Sequence, residues 1–382
     1  VVHDVVIVGG GPAGSTCARF LTRGGARVAV VDRARFPRVK LCGGWVSPAI
    51  WDALELAPSE YPGGLWEWTT CHVSYGEARA IACKGKGWFI RRFELDDFLL
   101  GRSGAELHLG VAVRDLAPDG DGLWSIAGVR ARHLVGAGGT RCPVARVAAP
   151  PRPRGPVGVQ EHEFQVDAAA IARTRAGRDG EPELYLHDDL RGYSWNVPKT
   201  GWLNVGSGTV DPNEVRAAWQ RARRHFSAAG HLPLEAAAEL DAMKGHTYYL
   251  FDPAHLEGAV RAGADGSASL LLCGDSLGLA QPLTAEGILP AVVSGRIAAE
   301  AILAGAPASY PARLAAHPVI ADYRRVARLR RVAAGRPRRR SRASRLGRGA
   351  VARGFAWMFS GARLPAPRLV DLALAAVERW SA

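Results

Sequence analysis

The stretch DVVIVGGGPAGSTCARFLTRGGARVAVVD, Asp4 to Asp32, decides the fold. Val5-Val6-Ile7-Val8 is an apolar run of strand length that ends abruptly in Gly9-x-Gly11-x-x-Gly14. A helical stretch then carries the chain to about Arg23, and a second strand, Arg27 to Val31, ends on Asp32. Strand, glycine turn, helix, strand and terminal acid follow in the order of a βαβ dinucleotide fingerprint. Gly9 permits the tight turn, Gly11 lets backbone approach a pyrophosphate, and Gly14 permits close helix packing. Pro12 and Ala13 fill the same loop and join the expected cofactor contacts. Arg33 would suit a 2′-phosphate, but the acid at the strand end argues for a ribose 2′-hydroxyl, hence FAD or NAD.

A second stretch complements the first: LLLCGDSLGLAQPLTAEGILPAVVSGRIAAEAIL, Leu270 to Leu303. Leu270 to Cys273 reads as a buried strand that stops at Gly274-Asp275, which puts an acid where open α/β sheets bind ligands. After Pro282, Thr284 and Gly287, apolar positions return at helical spacing through Ile288, Val292, Gly295, Ala299 and Leu303. That helix is expected to start near Glu286. Its free N–H groups and positive dipole end suit the electron-rich edge of a reduced flavin.

Composition bounds the remaining choices. The chain has 382 residues, 48% of them hydrophobic and 22% charged, enough for two domains with a sizeable core. It contains no run of about 18 uncharged apolar residues and no leader before the first strand, so a cytoplasmic location is expected. Cys17, Cys42, Cys71, Cys83, Cys142 and Cys273 show no metal-type spacing, and no metal site is expected. The net charge of +13 has a local source: thirteen arginines lie between Arg324 and Arg353, with no acid between Asp322 and Asp371. No recognition motif accompanies that charge, so nucleic acid is not an expected partner.

Between the two stretches lie several candidate site segments. Cys42-Gly43-Gly44-Trp45 suits backbone passing close to a flat ligand, and equally a loop with one buried thiol. Arg92, at the start of a helix, is either a solvated charge or a neutraliser of pyrophosphate, and Asp96 is expected to cap or orient that helix. Glu106 to Val113, Trp124 to Val129 and His133 to Gly139 read as a short βαβ-like tail ending in glycines, with Gly138 against a cofactor. Pro150 to Pro156 reads as a domain crossing, after which Val157–Val166, Leu184–Leu186, Tyr193–Val197 and Trp202–Val205 alternate like antiparallel strands. Tyr193, Trp195 and Val197 share one strand face, a cavity wall or ordinary sheet packing. Residues 213–240 read as helical.

Together these motifs resemble the geranylgeranyl reductase branch of FAD-dependent oxidoreductases with the p-hydroxybenzoate hydroxylase fold. The resemblance spans about the first 310 residues. It is carried by Gly9 to Gly14 with Asp32, by Cys42-Gly43-Gly44, by Tyr193-x-Trp195-x-x-Pro198-Lys199, and by Gly274-Asp275 through Pro282 to Gly287 with Ser294-Gly295-Arg296. Aromatic hydroxylases of this fold usually carry Ala-His after the GD pair and a later glycine-rich run. Here Gly278 and Ala285-Glu286-Gly287-Ile288 stand instead.

The resemblance implies that Gly9, Gly11, Gly14 and Asp32 hold the ADP half of FAD. Arg92 would reach the cofactor, and Asp275 would bind the ribityl chain. Glu286 and Gly287 would lie beside the isoalloxazine, Cys42 to Gly44 beside the reactive ring, and Tyr193 and Trp195 along an isoprenoid tunnel. Cys42, Tyr193 and Trp195 are thus the candidate catalytic residues, with Cys42, Tyr193 or water as proton source. Departures from the family pattern are Gly138-Gly139 for a usual Asp-Gly, Leu190 for Pro, Val197 for Phe and Ala285 for Gly.

The expected fold class is α/β + β, a Rossmann-like FAD-binding domain interleaved with an antiparallel-sheet substrate domain, plus C-terminal helices. Residues 1–65, 91–149 and 251–310 would form the first domain, 66–90 and 150–250 the second, and 311–382 a basic helical segment. The expected activity is C=C reduction in an apolar, isoprenoid-type substrate. Rival readings are a monooxygenase or halogenase of an aromatic, and an electron carrier. With one fingerprint present, NAD(P)H or another donor would bind transiently. In the tail, Leu369, Leu372, Ala373, Ala376, Val377 and Trp380 fall on one helical face. With the arginines and the Phe355-Trp357-Met358-Phe359 cluster they suit an anionic membrane surface, or form a plain solvated segment.

Overall fold

The computed structural model describes the chain except residues 77–78, 115, 120, 175–179, 263–267, 335–344 and 361–382. In chain order its strands are β1 (Val2–Val8), β2 (Val28–Asp32), β3 (Trp45–Val46), β4 (Trp66–Tyr75), β5 (Ile81–Phe89), β6 (Glu106–Leu109), β7 (Ala117–Pro118) and β8 (Trp124–Ile126). There follow β9 (Val129–Gly136), β10 (Val157–Gln165), β11 (Glu183–Leu186), β12 (Gly192–Lys199), β13 (Trp202–Thr209), β14 (Lys244–Tyr248), β15 (Val260–Ala262) and β16 (Ser269–Leu272).

They form two eight-stranded sheets. In the first, β15-β16-β9-β1-β2-β6, the four strand pairs from β16 to β6 are parallel. Val5, Val6, Ile7, Val30 and Val31 are fully buried there because helices cover the sheet. Each such side chain contributes about 1.5–3 kcal/mol on burial. The helices Pro12–Arg23 and Ile288–Leu303 cross at very close range, since a Cβ on Gly295 would stand 2.2 Å from Ala13 O. The first helix also packs tightly on the turn before it, where a Cβ on Gly14 would stand 1.8 Å from Gly9 O.

The second sheet runs β14-β10-β13-β12-β11-β4-β5-β3. One face packs Phe164, Tyr185, Leu203 and Val205 against Trp219 and Phe226 of the helix Val215–Ala228. The opposite face turns toward the first sheet's strand ends.

Several expectations are corrected. Residues Glu106 to Gly139 hold no βαβ tail, since β7, β8 and β9 form an antiparallel meander. The second sheet is not wholly antiparallel, because β11 and β4 pair in parallel. Trp45–Val46, inside the segment expected in the first domain, pairs with β5 of the second sheet. The helix expected over 213–240 ends at Ala228 and is followed by Gly230 at φ +71 and Pro233. Phe355 and Phe359 are not left for a membrane surface: within the helix Arg345–Phe359 they pack on Tyr193 of the second sheet, and Phe359 also on Trp45. The apolar face from Leu369 to Trp380 lies outside the described residues. Among the described residues no helix is long and apolar enough to cross a membrane.

Candidate functional site

A cavity of about 720 Å³ opens between the two sheets, large enough for a cofactor and a substrate group. Its floor is the glycine turn after β1. Gly9 takes φ +111, and a Cβ there would meet Ala137 C and O at 2.5 Å, so only glycine lets the chain pass beneath the β9 end. Gly11 precedes the helix Pro12–Arg23, which no side chain caps, leaving its first N–H groups free for an anion. Asp32 braces the turn: its carboxylate accepts from the Gly10 and Ala34 N–H groups, both at 2.8 Å. Gly9, Gly11, Pro12, Ala13, Asp32, Arg33 and Gly138 all line this end. Gly14 does not; it serves helix packing alone.

The next wall is a charged knot. Arg92 donates to Asp96 twice, at 2.6 and 2.7 Å, and Arg38 approaches the same carboxylate at 3.0 Å. Asp96 therefore does not cap the helix Arg92–Gly101; it is fully buried as an anchor for two cavity-lining guanidiniums. Burial alone would pull the Arg92 pKa down, and Asp96 more than reverses it, so the cation persists. Cys42 and Gly43 line the cavity beside it. Burial raises the Cys42 thiol against the opposing pull of Arg92, which makes it a neutral thiol instead of a nucleophile. Gly44 also lines the cavity, at φ +75, where a Cβ would stand 1.9 Å from Ile90 O.

The third wall comes from the end of β16 and the loop and helix after it. Gly274, Asp275, Glu286, Gly287 and Ile288 line it, whereas Pro282 is buried behind. The helix begins at Ile288, two residues after the expected Glu286. The delay has a cause: Gln281 Oε1 accepts from the Leu283 and Thr284 N–H groups, Ala285 N–H donates to Gln281 O, and Ala285 takes φ +59. No side chain caps Gly287, so the helix N-terminus faces the cavity. Burial raises the Asp275 carboxyl and pushes Glu286 up to about 8, and Glu286 Oε1 is buried with no partner.

The second sheet supplies the roof. Val159 and Glu161 of β10, Tyr193, Trp195 and Val197 of β12, and His246 and Tyr248 of β14 line it. On β13 the matching positions, Gly206 and Gly208, have no side chains, and a Cβ at Gly206 would stand 2.2 Å from the Trp195 ring. Trp195 Nε1 donates to Asn204 Oδ1 at 2.7 Å, and the Tyr193 hydroxyl donates to Thr284 O at 2.5 Å. Phe359 closes the roof from the C-terminal side. Leu190, where Pro is the resembling family's habit, sits at φ +55 with its N–H donating to His187 O, a conformation closed to proline.

Lys199, Glu161 and His246 escaped the sequence reading as site residues. Lys199 is fully buried, donating to Ile90 O at 2.9 Å and to Glu163 at 2.5 Å, and so ties β12 to the Arg91–Arg92 corner. Its place at the end of the Tyr193-x-Trp195-x-x-Pro198-Lys199 motif carried that signal. Glu161 and His246 carried none, because only strand pairing reveals that they share the Trp195 face.

Residues 4–62 match the family described as FAD dependent oxidoreductase. The chain is 29% identical to a menaquinone reductase of Mycolicibacterium smegmatis, covering 80% of this chain and 78% of that protein. It is 25% identical to a geranylgeranyl diphosphate reductase of Rhodobacter capsulatus, covering 82% and 78%. Among solved structures, a geranylgeranyl bacteriochlorophyll reductase-like protein of Thermoplasma acidophilum aligns with TM-score 0.58 at 21% identity over 86% of this chain and 84% of that one. The flavin-dependent brominase Bmp2 aligns with TM-score 0.66 at 18% identity over 99% and 100%. The likeness to these structures is one of fold. FAD fits the residues present: a cradle only glycine can form, two uncapped helix N-termini, and an orphaned carboxyl at the far end.

Proposed function

We propose that this chain, an FAD-dependent oxidoreductase similar over about four-fifths of its length to reductases of geranylgeranyl and menaquinone compounds, reduces C=C bonds in an isoprenoid chain. The observation that carries the reading is the roof. Val159, Leu184, Trp195, Val197 and Phe359 present an apolar face across the cavity from an uncapped helix N-terminus. When bound, FAD supplies the hydride.

The chain's residues do the remaining work. Gly9, Gly11, Pro12, Ala13 and Asp32 would hold the ADP half, with Arg33, Gly138 and Gly274 along it. Arg92, fixed by Asp96, would offset pyrophosphate charge. Asp275 would bind the ribityl hydroxyls, and Gly287 and Ile288 would direct the helix dipole at the ring, with Glu286 neutral beside it. Cys42, Gly43 and Gly44 would pack at the ring edge. Tyr193, tethered to Thr284 O, and Trp195, tethered to Asn204, would exclude water and align the alkene. The electron donor would be NAD(P)H or another carrier bound transiently, since the chain has a single fingerprint.

The test is anaerobic. Holoenzyme reduced with dithionite is mixed with geranylgeranyl diphosphate or menaquinone, and flavin absorbance and product mass are followed. Return of the oxidised spectrum with a product carrying two more hydrogens is expected. A flavin that stays reduced until oxygen is admitted, and then oxygenates or halogenates an aromatic, would overturn the reading.

A further inference from the structure

Two acids on one strand face have opposite fates. Glu163 of β10 is saturated: it takes Lys199 Nζ at 2.5 Å and Arg91 Nε at 3.1 Å. Glu161, two residues earlier on the same face, is 1% exposed, lines the cavity, and leaves Oε1 with no hydrogen-bond partner. An unpaired carboxyl is a costly thing to bury. Its strand neighbour Gly206 contributes no side chain, so Glu161 stands beside the Trp195 indole and not behind a residue of β13.

The other titratable side chains of this wall are weaker proton donors: burial raises Tyr193, Tyr248 and Cys42, and keeps His246 neutral. The Tyr193 hydroxyl gives its proton to Thr284 O, and burial holds its pKa far above neutrality. Cys42 Sγ receives the Gly44 N–H and lies against Arg92. Glu286 is unpaired too, but it belongs to the opposite wall, at the helix N-terminus.

We propose that Glu161 is the acid that protonates the substrate carbon during C=C reduction. The assignment rests on the reductase reading above. One alkene carbon takes the hydride that reduced FAD supplies. The π pair passes to the other carbon, which bonds the Glu161 proton as the carboxyl O–H breaks. FAD is left oxidised, the alkene reduced, and the carboxylate regains a proton from water.

The groups facing Glu161 are Lys40 and Cys42 from the loop after β2, Arg92 at its helix start, Glu163 on its own strand, Tyr193 and Lys199 on β12, and on β14 Tyr248 and Lys244, its register partner. His246 lies on the same roof, and burial keeps it neutral. Burial raises the Glu161 carboxyl to about 7 despite the nearby Lys40, Lys199 and Arg92 cations, so a substantial share of it keeps its proton near neutral pH and nearly all of it below.

The experiment compares wild type, Glu161→Gln and Glu161→Asp holoenzymes. Reoxidation of dithionite-reduced flavin by geranylgeranyl diphosphate is timed across pH, and the visible spectrum of the oxidised flavin is titrated separately. The wild-type rate should fall as pH rises through about 7, and its flavin spectrum should shift with the same midpoint. Glu161→Gln should bind FAD at full occupancy yet lose about 10²–10⁴-fold in reoxidation rate, with both pH steps gone. Glu161→Asp should recover part of the rate and a pH step. A Glu161→Gln enzyme with wild-type rate and pH profile overturns this assignment alone. A wild-type enzyme that no prenyl probe reoxidises overturns the reductase reading, and the assignment falls with it.

Discussion

Ala285 holds φ +59, a left-handed conformation that costs an L-residue with a Cβ about 1–2 kcal/mol. The chain tolerates it because Gln281 clamps the loop from both sides, through its carbonyl and its side-chain oxygen. The substitution of Ala for the family's Gly is thus a local stability matter more than a statement about substrate. Ala285→Gly is expected to stabilise the protein by roughly 0.5–1 kcal/mol, the relief of strain less the added freedom of glycine in the unfolded chain. Thermal unfolding reads it, and a lowered midpoint would refute the account. The same scale shows a limit of sequence reading. Asp96 resembles a helix cap in the sequence, yet it is a buried anchor for Arg92 and Arg38, because Arg38 reaches it from a loop more than fifty residues away.

The helices Pro12–Arg23 and Ile288–Leu303 behave as one element, since both aim uncapped N-termini at the same cavity. Their separation is set at Gly295, where a Cβ would overlap the Ala13 backbone oxygen. Gly295→Ala should therefore push the helices apart and cost about 3 kcal/mol or more, because the obstacle is backbone and cannot rotate away. Soluble yield and unfolding midpoint test this, and FAD occupancy should fall in parallel. A fully stable, fully flavinated Gly295→Ala protein would show that the helix spacing does not set the cavity. Gly14 was legible from the fingerprint. The contact of Gly295 with Ala13 was not, since it joins elements almost three hundred residues apart.

Over the whole molecule, both sheets supply walls of the cavity. Binding FAD should stabilise the native state by about 2.7 kcal/mol at a hundredfold excess over Kd. Stripping the cofactor should lower the unfolding midpoint and raise protease sensitivity in both sheets together. A drop confined to the first sheet would contradict a shared site. How the sequence anticipates this architecture varies with distance along the chain. The parallel sheet, its glycine turn and the acid ends of β2 and β16 could be read directly, because turn geometry, apolar runs and helix starts are local consequences of neighbouring residues. The roof could be read only in part: Tyr193, Trp195 and Val197 declare a common face by period-two spacing, but not what they face. Glu161, His246 and Phe359 reach the same cavity through strand register and the docking of the Arg345–Phe359 helix. Those contacts depend on long-range pairing, which no single segment encodes, and so tertiary structure alone decided which acid on β10 is paired and which is left free.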